Sequence, residues 1–139
     1  MLYIFLSIVS FLIIFILPAL IFLVRLILCK SKIRSLGVAF ALGHFAFISI
    51  IAVSVYLSQY QAQFQLFWLL AFFYDLPIAW LYSSWKVNAV ILNFMGDSYL
   101  ARYLFSPFLF HGIFGTFQYY LIGRIIDYYK IMRTRQYVT

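Results

Sequence analysis

Residues 2–24 hold no charged side chain. As a helix this run is about 35 Å long, enough to cross the roughly 30 Å hydrocarbon layer of a bilayer with some tilt. A soluble domain cannot hide such a segment and repeat the pattern, yet the chain does repeat it. Of its 139 residues 67% are hydrophobic and 9% charged, against about half apolar and a quarter charged in a soluble domain. The sequence therefore predicts an all-α fold, a multi-pass transmembrane helix bundle. About four spanning helices are expected, near residues 2–24, 36–57, 64–85 and 106–127, in a single integral membrane domain over 1–139.

The first run lacks a basic stretch ahead of it and its positive charges follow it, so it reads as a retained helix and not a secretory leader. Pro18 is expected to kink it. Arg25, Lys30, Lys32 and Arg34 mark a basic loop, and residues 58–65 an uncharged polar one. In the third span ten Leu, Ile and Phe residues, at about −0.5 kcal/mol each, outweigh a central Asp75 at about +3 kcal/mol. Asp75-Leu76-Pro77 also reads as a helix start, with the carboxylate capping free backbone N–H groups. Residues 86–105 mix Asn88, Asn93, Asp97 and Arg102 with apolar residues, which suits an interfacial segment interrupted near Gly96. The tail from Tyr128 reads as a short solvated end.

The net charge of +7 sits at the ends of apolar segments and forms no patch, which argues for orientation in a membrane and against nucleic acid. The basic loop and the basic tail fall on opposite sides in a four-crossing arrangement. Six Lys and Arg on one side against four on the other favour both termini outside; a third segment that enters and returns at Asp75 removes the conflict. A single cysteine, Cys29, excludes an internal disulfide. With no organelle-targeting feature in view, a bacterial plasma membrane is the expected address.

Small residues at helical spacing predict close packing. Gly37, Ala41, His44, Ile48 and Ala52 share one face of the second span, with Gly43 beside it. In the fourth, His111, Gly115, Gln118 and Ile122 form one row, and Gly112, Thr116, Tyr119 and Gly123 the next. Arg124 and Asp127 read as a pair at the membrane edge.

Ionisable groups at membrane depth need a reason. Helical rise places His44, Asp75 and His111 at comparable depth, and with Gln118 they are expected to form one intramembrane polar cluster. Three uses fit such a cluster. It can hold helices together by hydrogen bonds, carry protons or small ions, or offer His44 and His111 to a b-type haem, with Gly43 and Gly112 making room for the macrocycle. A divalent metal on the two His and Asp75 has suitable ligand types but no supporting spacing. No nucleophile elbow, phosphate loop or HExxH motif is present, so no catalytic residue is assigned and the protein is not expected to be an enzyme. The sequence favours an accessory or assembly component that packs against itself or a larger membrane complex, ahead of proton or ion transport and of a haem-bearing electron-transfer subunit. The lipid bilayer itself is its first partner.

Overall fold

The computed structural model describes the backbone of residues 2–30, 35–57, 66–84, 89–90, 93–94, 96 and 98–136, and side chains within 15–29, 35–57, 68–84, 89–90, 93–94, 96 and 98–133. The loops at 31–34 and 58–65, Lys86, Asn88 and Asp97 lie outside the described residues. Among the described residues every regular element is helical. In order they are α1 (Leu2–Lys30), α2 (Leu36–Leu57), α3 (Leu66–Tyr74), α4 (Leu76–Ser83), a widened π turn π1 (Ala101–Phe105), α5 (Ser106–Leu109), a second widened turn π2 (Phe110–Gly115), and α6 (Thr116–Gln136).

α1 continues through Pro18. α2 covers residues 36–57; it is 22 residues long with a mean hydropathy of 2.2, and where side chains are described it is the one helix long and apolar enough to cross a membrane, α1 being described in that way only over Phe15–Cys29. The third segment is two short helices that meet at Asp75. α6 runs on to Gln136, so the end expected to be solvated from Tyr128 is helical, and it is exposed over residues 128–133. Nothing after Gly123 breaks the helix, and Lys130 and Arg133 suit the negative end of its dipole.

The chain divides into two compact units, residues 1–47 with 116–139, and residues 48–115. In the first, α2 and α6 cross antiparallel with their backbones nearly touching. A β-carbon at Gly123 would lie 2.6 Å from Gly37 Cα and 2.7 Å from Leu36 C. A β-carbon at Gly37 would lie 2.7 Å from Cγ of Arg124, whose aliphatic stem runs over it. Gly43 takes the backbone of α1 in the same way, 2.9 Å from Ile21 Cα. Only hydrogen fits at these positions.

The same crossing closes one helix end. Leu36 N–H, one of the donors a helix start leaves unmet, points at Asp127 Oδ2 at 2.8 Å, and Ser35 Oγ reaches the same oxygen at 3.4 Å. Asp127 is thus spent on capping α2 from 91 positions away.

In the second unit the chain bends at Asp75 (φ −101°, ψ 34°) between α3 and α4. Helical bonds flank the bend, Asp75 N–H to Ala71 O at 2.9 Å and Ala79 N–H to Asp75 O at 2.6 Å. Pro77 accounts for it, because its ring clashes with the carbonyl four residues back and it has no N–H to offer. The expected cap is absent: the Asp75 side chain makes no capping hydrogen bond, because the carboxylate is turned inward to His111. Gly96, with φ of 80°, interrupts the following segment in the left-handed region, where glycine is at home.

Pro107 acts similarly on π1. Ser106 N–H reaches back five residues to Ala101 O, and Pro107 has no N–H for the Tyr103 carbonyl four residues back. The Trp68 indole N–H donates to that carbonyl at 2.9 Å. A proline defect in one helix thereby becomes a tie to α3.

His44, Asp75, Ser106 and His111 are buried, whereas Phe94, Trp80, Leu57 and Phe73 are largely exposed.

Candidate functional site

Asp75 and His111 form the densest polar contact in the second unit. Asp75 Oδ2 and His111 Nδ1 are 2.8 Å apart, with the side chains 0% and 3% exposed. The bend at Pro77 places the carboxylate, and the widened turn π2 carries the imidazole. An ionised Asp75 only accepts, so His111 Nδ1–H donates. Aromatic rings surround the His111 imidazole. Trp68 lies roughly parallel to His111 at 6.1 Å between centroids, Tyr82 is tilted at 5.6 Å, and Phe110 meets it edge-on at 6.2 Å. The Tyr82 hydroxyl is itself fixed by Ser106 Oγ at 3.2 Å. His111 also lines a cleft of about 300 Å³ with Trp68, Phe72, Tyr82, Arg102 and Tyr103.

His44 belongs to the first unit and has different company. Its Nδ1 shares a hydrogen bond with Thr116 Oγ1 at 3.1 Å, and its ring stacks on Tyr119 at 4.3 Å and 15°. Wholly buried, it ties α2 to α6. Gln118 is half-buried, and its enclosed Oε1 has no hydrogen-bond partner among the described residues. Asp75 thus meets His111 in one unit, and His44 meets Thr116 and Tyr119 in the other. Of the packing residues, Gly37, Gly43 and Gly123 sit at backbone contacts. Gly112 and Gly115 are buried in π2, Ala41 is half-buried, and Thr116 acts by its hydroxyl.

The haem expectation fails on this geometry. The room foreseen beside Gly43 is filled by Ile21, whose Cγ1 would be 2.7 Å from a β-carbon there, and one face of the His44 ring is covered by Tyr119. Among the described residues no three His, Cys, Asp or Glu side chains gather as a metal site. No protein-family model matches the chain, and neither a curated protein nor a solved structure matches it significantly.

Sequence reading missed Trp68, Tyr82, Ser106 and the capping role of Asp127. One signal was available: Pro107 has no N–H to give the Tyr103 carbonyl four residues back, which leaves that carbonyl able to accept from an indole.

Proposed function

We propose that the chain is a multi-pass integral membrane protein of four apolar segments, the third broken at Asp75, that its second unit carries a proton-holding pair, and that it works in proton-linked transport or conduction. The reading is non-enzymatic. The observation that carries it is the 2.8 Å contact between a wholly buried Asp75 and a nearly buried His111. A buried charged pair is weak support for stability, and Asp with His is the pairing found where protons are moved across membranes. The exposed Phe, Trp and Leu side chains support the bilayer setting, since large apolar patches are rare on soluble monomers. This places transport ahead of the accessory role that the sequence favours. The accessory reading retains one specific support: His44 and Asp127, two of the polar groups, are spent on helix packing and capping.

The test is proton flux into liposomes loaded with a pH-sensitive dye. Purified protein should accelerate dissipation of an imposed pH gradient, and Asp75→Asn should return it to the rate of empty vesicles. Equal rates for wild type, variant and empty vesicles would end the proposal.

A further inference from the structure

Eight of the ten Lys and Arg residues fall in two stretches, four in residues 25–34 and four in residues 124–135. A chain with four complete crossings puts these stretches on opposite sides of the bilayer. The contacts of the first unit bring them to one end. Gly37, just after the first stretch, meets Gly123 and the stem of Arg124, and Leu36 N–H meets Asp127. Farther along α2, His44 meets Thr116. α2 therefore leaves the end at which α6 arrives. α1 arrives there as well, since Ile21 packs on Gly43 and α1 continues to Lys30 shortly before α2 begins.

Two guanidinium groups stand at nearly one level on this end. Counting from the contact of Ile21 with Gly43, Arg25 on α1 lies level with residue 39 of α2, about 3 Å along the axis from Gly37, over which the Arg124 stem runs. Both arginines are exposed. Asp127, the acid of this end, is turned to Leu36 N–H and Ser35, and neither arginine has a carboxylate partner among the described residues. Tyr120, Tyr128 and Tyr129 stand exposed on α6 to either side of Arg124, as amphipathic rings do at headgroup depth.

We infer that this end of the first unit lies in the anionic, cytoplasmic leaflet and binds lipid phosphate through Arg25 and Arg124. The inference rests on the bilayer setting proposed above. A guanidinium keeps its charge at every accessible pH and meets phosphate through parallel N–H groups. Two of them without an internal carboxylate are matched by an anionic headgroup, and basic segments gather on the cytoplasmic side. With α2 leaving and α6 arriving there, residues 58–105 cross an even number of times, and the third segment does not cross alone. Its bend agrees. Trp68 and Tyr82 would be about 21 Å apart along a straight helix, yet their rings lie 6.1 and 5.6 Å from the same imidazole.

Two measurements test this. Lys32→Cys and Arg133→Cys, each combined with Cys29→Ser, are treated with an impermeant maleimide in spheroplasts of an expressing bacterium, before and after permeabilisation. Both should label only after permeabilisation; labelling of either one before it overturns the inference. Native mass spectrometry of protein released from nanodiscs of equal phosphatidylcholine and phosphatidylglycerol then reads the lipid. Phosphatidylglycerol should be retained in preference, with Arg25→Gln and Arg124→Gln each lowering the preference about fivefold and Arg124→Lys keeping it. Equal retention of the two lipids by the wild type, an unchanged preference in either Gln variant, or a loss in Arg124→Lys as large as in Arg124→Gln overturns the inference. Labelling on opposite sides with Asp75-dependent proton flux intact overturns this inference alone; both cysteines protected without such flux overturns the transport reading alone.

Discussion

Gly123→Ala adds one methyl group where the structure has no room for it. The new carbon would stand 2.6 Å from Gly37 Cα and 2.7 Å from Gly37 N, against about 3.5–4.0 Å for carbon atoms in comfortable contact. Backbone atoms cannot rotate aside as the end of a side chain can, so α2 and α6 must part by about 1 Å at this point. Overpacking of that kind ordinarily costs about 1–3 kcal/mol. Parting the helices also strains the 2.8 Å contact of Asp127 with Leu36 N–H, one turn along α6, and a hydrogen bond to a charged group contributes about 1.5–3 kcal/mol. Against these losses, Ala is a better helix former than Gly by about 1 kcal/mol. The net expectation is destabilisation by about 2–4 kcal/mol. The assay is the unfolding free energy in mild detergent, by steric trapping or denaturant titration. Gly96→Ala serves as the reference: a β-carbon there meets nothing within 4 Å, so the change bears only the left-handed backbone cost of about 1–2 kcal/mol. If Gly123→Ala proved as stable as wild type, the backbone contact between α2 and α6 would be refuted.

Three further outcomes follow from single contacts. Asp127→Ala should destabilise by about 1–2 kcal/mol and speed hydrogen exchange at the Leu36 amide; unchanged exchange there would contradict the distant cap. Trp68→Phe keeps an aromatic ring and deletes the donor to the Tyr103 carbonyl, for a loss of about 1 kcal/mol readable in the same unfolding assay. Thr116→Val preserves shape and removes the hydroxyl beside His44, so stability should fall by about 0.6 kcal/mol while the His44 ring resonances shift in the NMR spectrum.

How far the sequence could be read depended on whether the local rule held. The start of α2 was legible, because an uninterrupted apolar stretch opens at Leu36 straight after the basic run that ends at Arg34. The bend at Asp75 was legible from Pro77, but the fate of the carboxylate was not. Capping is a local bargain, and it lost to a partner 36 positions away. The faces of the last segment were legible from Thr116 onward, where Thr116, Tyr119 and Gly123 do meet α2 at regular α spacing. They were misread before it. The wheel that put His111 and Gln118 in one row assumed 3.6 residues per turn throughout, whereas π2 lies between the two residues and resets the phase.

The widened turns make this part of the chain sensitive to length in a way that ordinary helices are not. Removing a single residue between Pro107 and His111 would leave the segment as oily and as helical as before, yet it would swing the imidazole by about 100° around the axis. The partner of Asp75 would then look elsewhere. Point changes among Phe108, Leu109 and Phe110 should accordingly be tolerated far better than any one-residue deletion among them, and a deletion scan across this stretch would map the dependence directly.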